Sequence, residues 1–199
     1  SGGISVTNAV LFLLLQLTLS LTILLQLNET CWLLGFLVLL LVFSYPAFKR
    51  FTYWPQFILG LTFNWGALMG WVSITGEIDI PSVLLYLAGI FWTLGYDTIY
   101  AHQDKEDDAL IGVKSSALAL ENSTKPFIYT VYIITMAGIF LIGWISEFSI
   151  PFYLVCLIAF CQLIWQIRTL DLDNPNDCLK KFKSNRFFGF LITFAIFLG

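Results

Sequence analysis

Hydrophobic side chains make up 58% of this 199-residue chain and charged ones only 12%, which excludes a soluble globular domain and points to a polytopic membrane protein. A net charge of −3 says little by itself about partners, because the asymmetry of the charges matters more than their sum, and no nucleic-acid partner is expected.

Taking about 20 residues per crossing, apolar segments fall at 8–27, 31–45, 57–76, 80–101, 126–145, 150–167 and 187–198, an all-α bundle of about seven transmembrane helices in the lipid bilayer. The opening SGGISVTNAV has neither an initiator Met nor a basic leader, so the chain is expected to begin inside a longer protein. Threading the spans puts Lys49, Arg50, Lys105, Lys114, Lys125, Arg168, Lys180, Lys181, Lys183 and Arg186 all on one side of the membrane. That asymmetry predicts links 46–56, 102–125 and 168–186 facing the cytoplasm or the mitochondrial matrix. Asn64 falls in the middle of the third span, where an amide needs a partner. Either a substrate or a neighbouring helix would serve. Gly66 and Gly70 form a GxxxG, the usual mark of close helix packing.

The fourth span runs into five carboxylates within twelve residues, Asp97, Asp104, Glu106, Asp107 and Asp108. If this stretch is one helix, the 100° step brings Asp97, Asp104 and Asp108 within about 40° of one another, with Tyr100 and Asp107 alongside. Acids that close repel unless a cation separates them, and carboxylates at this spacing suit Mg2+, which fills its other positions with water and substrate phosphates. His102 points away from the stripe and is left out of the site. Cys31, Cys156, Cys161 and Cys178 show no metal-ligand spacing and read as packing residues. The sequons at Asn28 and Asn122 lie on opposite sides of the membrane and read as chance matches.

Four stretches together, YPAFKR (45–50), YWPQFILGLTFNWGALMGW (53–71), YDTIYAHQDKEDDALIGVKSSA (96–117) and CLKKFKSNRFFG (178–189), resemble the UbiA-type intramembrane aromatic prenyltransferases, most closely the branch that acts on 4-hydroxybenzoate in ubiquinone synthesis. The resemblance implies a nine-helix fold around a cavity with two facing aspartate-rich motifs. Residues 104–108 match the second, DxxxD; the first, NDxxDxxxD, has no counterpart here. The whole chain, 1–199, thus resembles a single prenyltransferase domain without its first two helices.

The resemblance further implies a Mg2+-assisted transfer of a polyprenyl group from polyprenyl diphosphate to the 4-hydroxybenzoate ring. Asp104 and Asp108 would hold metal, with Asp97 and Asp107 as further ligands or supports, and Tyr100 would face the cation. Arg50, or Lys49 in its place, would bind the aromatic carboxylate, and Lys114 in the GxKS ending would bind diphosphate. The location implied is a bacterial or mitochondrial inner membrane. Menaquinone, haem and chlorophyll prenyltransferases share the aspartate architecture, and an inactive fragment or a membrane transporter is a further alternative. A transporter would carry ionisable groups near the midplane, whereas only Asp97 lies within a span, near its end.

Overall fold

The computed structural model describes residues 3–199, the side chain of Lys49 excepted. Ten α-helices follow in chain order: α1 (Val6–Leu24), α2 (Glu29–Phe51), α3 (Pro55–Phe63), α4 (Trp65–Thr75), α5 (Ile80–Ala101), α6 (Lys105–Ile111), α7 (Ser116–Leu120), α8 (Thr124–Ile145), α9 (Ile150–Arg168) and α10 (Pro175–Leu198). Local chemistry marks their ends. Asn28 accepts from the Cys31 amide at the start of α2, Asp79 and Ser82 form a capping box at α5, and prolines stand in the first turn of α3, α5, α9 and α10. Gly76 and Gly112 close α4 and α6 with left-handed φ of 81° and 72°, which only glycine adopts without strain.

Six of these stretches are long and apolar enough to cross a membrane: Val6–Leu24, Glu29–Phe48, Pro55–Thr75, Ile80–Ala101, Ser116–Ile145 and Ile150–Arg168. The seventh expected span, 187–198, is the apolar second half of α10, whose first half carries the charges. α10 still runs the full length of α9, because Ser149 Oγ at the start of α9 donates to the Leu198 carbonyl at 2.8 Å and Gln166 Nε2 near its end donates to the Lys181 carbonyl at 2.9 Å.

α5 is the organising helix, packed against α3, α4, α8 and α10. One core lies between α5, α8, α9 and α10, around Tyr132, Phe152, Leu163 and Phe188; a second joins α2, α4 and α5 around Cys31, Val72 and Ile90. Two buried glycines set the spacing in the first core: Gly95 lies under the Tyr132 ring and Gly143 under Phe152. A polar belt ties three helices together there, with Tyr132 donating to Gln166 at 2.6 Å and Gln166 donating to Ser184 at 2.8 Å. The GxxxG expectation does not hold among the described residues: Gly66 and Gly70 have open space where a Cβ would stand.

The third span is two helices, broken at Asn64. Asn64 Nδ2 donates to the Gly60 carbonyl at 2.9 Å and to Thr93 Oγ1 on α5 at 2.8 Å, while Gly89 leaves room for the amide. The amide therefore holds a neighbouring helix. Asn64→Ala is expected to destabilise by about 1–3 kcal/mol, since it removes the partner of a buried hydroxyl. A melting midpoint in detergent equal to that of the parent would return Asn64 to a purely substrate-facing role.

Candidate functional site

Contrary to the expectation of one helix through 97–108, α5 ends at Ala101. His102 and Gln103 close its last turn with bonds to the Ile99 and Tyr100 carbonyls at 3.2 and 2.9 Å, and Asp104, at φ −110° and ψ 12°, starts α6. The three acids in the first turn of α6 sit where a helix dipole favours negative charge. The break turns α6 but keeps the acids together: Asp97, Tyr100, Asp104 and Asp108 line one cavity of about 140 Å³, with Tyr45, Gln56, Lys114 and Ser115.

The opposite wall is the loop 113–115, held from three directions. Gln56 Oε1 accepts from the Ser116 amide at 3.2 Å, the Ser116 and Thr98 hydroxyls are 2.7 Å apart, and Lys114 Nζ donates to the Phe51 carbonyl at 3.4 Å while lying 5.2 Å from the Tyr53 ring centre. Ser115 is 2% exposed, and its hydroxyl has no partner among the described residues. It is the first residue before α7 yet makes no capping bond. A buried hydroxyl without a partner is costly.

Asp107 and Arg50, expected at the site, fall elsewhere, and so do Trp65 and His102. Asp107 is turned to the far side of α6, onto a second polar cavity of about 1010 Å³ with Lys105, Glu106, Lys125 and Asp173. Arg50 is exposed at the end of α2 and does not line the acid cavity, although it adjoins the carbonyl that anchors Lys114. Lys49 lies outside the described side chains. Trp65 packs edge-on against Tyr86 and donates to the Leu34 carbonyl at 3.0 Å. His102, 7% exposed, faces the second cavity with Nε2 3.1 Å from Thr124 Oγ1; burial first and Lys105 second lower its pKa to about 4, against a smaller opposing pull from Asp173.

Asn64 lines a further cavity, of about 260 Å³, between α4, α5, α8 and α10, where Ala67, Gly89, Trp92, Phe188 and Gly189 make a mostly apolar wall. Aromatic rings run from it to the acids. Trp92 meets Tyr96 at 5.1 Å, Tyr96 meets Phe182 at 5.6 Å, and Phe182 meets Tyr100 at 4.6 Å. Asn185 accepts from the Trp92 indole at 3.0 Å and fixes its plane.

Three carboxylates facing an aqueous pocket are an all-oxygen donor set suited to a hard divalent cation. Among the described residues no three His, Cys, Asp or Glu side chains stand close enough to hold a metal by themselves. The carboxylates present would therefore need further ligands from outside this set to hold such a cation.

A family model described as the UbiA prenyltransferase family matches residues 1–192. Over the full chain, 4-hydroxybenzoate polyprenyltransferase, mitochondrial, of Bos taurus and of Arabidopsis thaliana are each 49% identical, and that of Drosophila melanogaster is 46% identical. The chain spans about half the length of the curated relatives it matches, 54%, 49% and 51% respectively. A UbiA homolog from Aeropyrum pernix K1 superposes with TM-score 0.81 at 20% identity, covering 98% of this chain and 74% of the other; a structure concerned with digeranylgeranylglyceryl phosphate synthase gives 0.75 at 21%, covering 98% and 70%. At those identities the two structures speak for the fold alone.

Proposed function

Since the chain belongs to the UbiA prenyltransferase family, we propose that it transfers a polyprenyl group from polyprenyl diphosphate to the ring of 4-hydroxybenzoate in ubiquinone biosynthesis. The observation that carries this reading is the meeting of Asp97, Asp104 and Asp108 with Lys114 and Ser115 around one cavity, joined by aromatic rings to an apolar one.

Asp104 and Asp108, supported by Asp97, would hold Mg2+, which would supply Lewis-acid neutralisation of the leaving diphosphate. Asp107, on the other face of α6, is outside this set. The Lys114 ammonium, which lines the same cavity as the acids, would bind diphosphate oxygens through a charge-assisted bond. The carbon–oxygen bond breaks with its electron pair going to diphosphate, and the allylic cation left behind is drawn to the faces of Tyr100 and its aromatic neighbours. The ring carbon of the acceptor then supplies the new bond and loses its proton. Arg50, exposed at the end of α2 outside the cavity lining, is the candidate for pairing with the acceptor carboxylate.

Competition between 4-hydroxybenzoate and other aromatic acceptors tests the assignment. Preferential prenylation of 4-hydroxybenzoate is expected, and retention of transfer only to a naphthoate, haem or chlorophyllide acceptor would sink it. Arg50→Ala is expected to raise KM for the aromatic acid about tenfold while leaving KM for the prenyl donor near its parent value, given the strength of a charge-assisted pair. Equal changes in both constants would remove the carboxylate role. The mitochondrial relatives favour the mitochondrial inner membrane, with the acid cavity toward the matrix.

A further inference from the structure

α10 carries one stripe that neither core uses. On a helical wheel Lys180, Lys183 and Arg186 fall within about 120° of one another, opposite the buried Lys181, Asn185 and Phe188. All three are exposed, and none forms an ion pair among the described residues, whereas Lys181 is paired with Asp177 at 3.6 Å and lies over the Trp165 ring at 4.4 Å. Together with Asn176, Leu179 and Ser184 they surround an open cavity of about 420 Å³ on the outer side of the helix.

The depth of these cations matters. Lys181 is level with Gln166, close to the end of the α9 span at Arg168. At 1.5 Å per residue, Lys183 and Arg186 lie roughly 3 and 7 Å further toward the bilayer centre. Outward-facing cations at that depth call for an anion, because the hydrocarbon offers none. Directly below them, on the same stripe, Phe187, Phe190 and Phe194 are exposed at 50%, 64% and 44%.

We propose that this stripe binds an anionic phospholipid, its phosphate held by Lys180, Lys183 and Arg186 and its acyl chains lying along the phenylalanines. A free phosphate would use the cations but gain nothing from the apolar half; a zwitterionic lipid would use the apolar half but return little to three unpaired cations. The continuity of the two halves on one helix face selects the anionic lipid.

The test reconstitutes the protein in phosphatidylcholine vesicles holding a minority of phosphatidylglycerol and counts the lipid molecules retained by native mass spectrometry. Enrichment of phosphatidylglycerol is expected. The variant K180Q/K183Q/R186Q is expected to reduce it by about 100-fold, since each of the three cations near an anionic surface contributes roughly a fivefold preference. K105Q/K125Q/R168Q, which removes three charges of the same membrane side but outside the stripe, is expected to keep it. If the triple stripe variant fails to fold, R186Q alone should show the partial loss. Enrichment unchanged by the stripe variants, equal loss in both triple variants, or displacement of the lipid by excess inorganic phosphate would each overturn the proposal.

Discussion

Asp104→Ala and Asp108→Ala are each expected to lower prenyl transfer by about 100-fold or more in the enzyme that carries this chain, because a metal acting on a leaving phosphate is worth several kcal/mol of transition-state stabilisation and every 1.36 kcal/mol is tenfold. Both carboxylates line the cavity that Lys114 and Ser115 close from the other side, so neither can be replaced by a neighbour on α6. Asp107 serves as the internal control. It belongs to the same acid run but faces the second cavity, and Asp107→Ala is expected to cost less than about tenfold, or under about 1.36 kcal/mol. The measurement is the initial rate as a function of Mg2+ concentration, with binding of an unreactive prenyl diphosphate analogue as a second readout. In the Asp104 and Asp108 variants analogue binding should lose its dependence on Mg2+. If Asp107→Ala were as damaging as Asp108→Ala, the two-faced reading of α6 would fail.

That contrast could not be drawn from sequence spacing. The spans are legible because long apolar runs leave few alternatives in a bilayer, and the acids are legible because they interrupt such a run. The break at His102–Asp104 is hidden, since no glycine or proline announces it and the acids keep a helical spacing on both sides. The break re-aims α6 as a unit, so that Asp108 lines the cavity of Asp97 and Asp104 while Asp107 lines the second one. The bend at Asn64 is concealed for a related reason: the apolar run passes through it, and only the bond to Thr93 shows that the amide has been used to stop one helix and start another. Ser115 carries no distinguishing signal in the sequence, because a serine at a helix start is ordinarily a cap. Here it makes no cap bond, and the residue lines the acid cavity instead.

Gly95→Ala is expected to be among the most damaging single-methyl changes in the chain's first core. The added Cβ would stand against the Tyr132 ring, with Cδ1 at 2.9 Å and a Val131 methyl at 3.1 Å. Tyr132 cannot yield, because it is fully buried and its hydroxyl is bound to Gln166 at 2.6 Å, which is itself bound to Ser184. Relief must come from separating α5 and α8, at about 1–3 kcal/mol, the usual cost of overpacking. Gly95 is two residues before Asp97, so the same displacement moves the acid end of α5 away from the loop 113–115. Activity should therefore fall together with stability. Gly70→Ala, where nothing stands within 4 Å of the new methyl, is expected to leave the melting midpoint unchanged or to raise stability by up to about 1 kcal/mol through helix propensity. Thermal unfolding of both variants in detergent, alongside transfer rates, distinguishes the cases. A Gly95→Ala protein that melts with the parent would mean that the α5–α8 contact is looser than the Tyr132 packing implies.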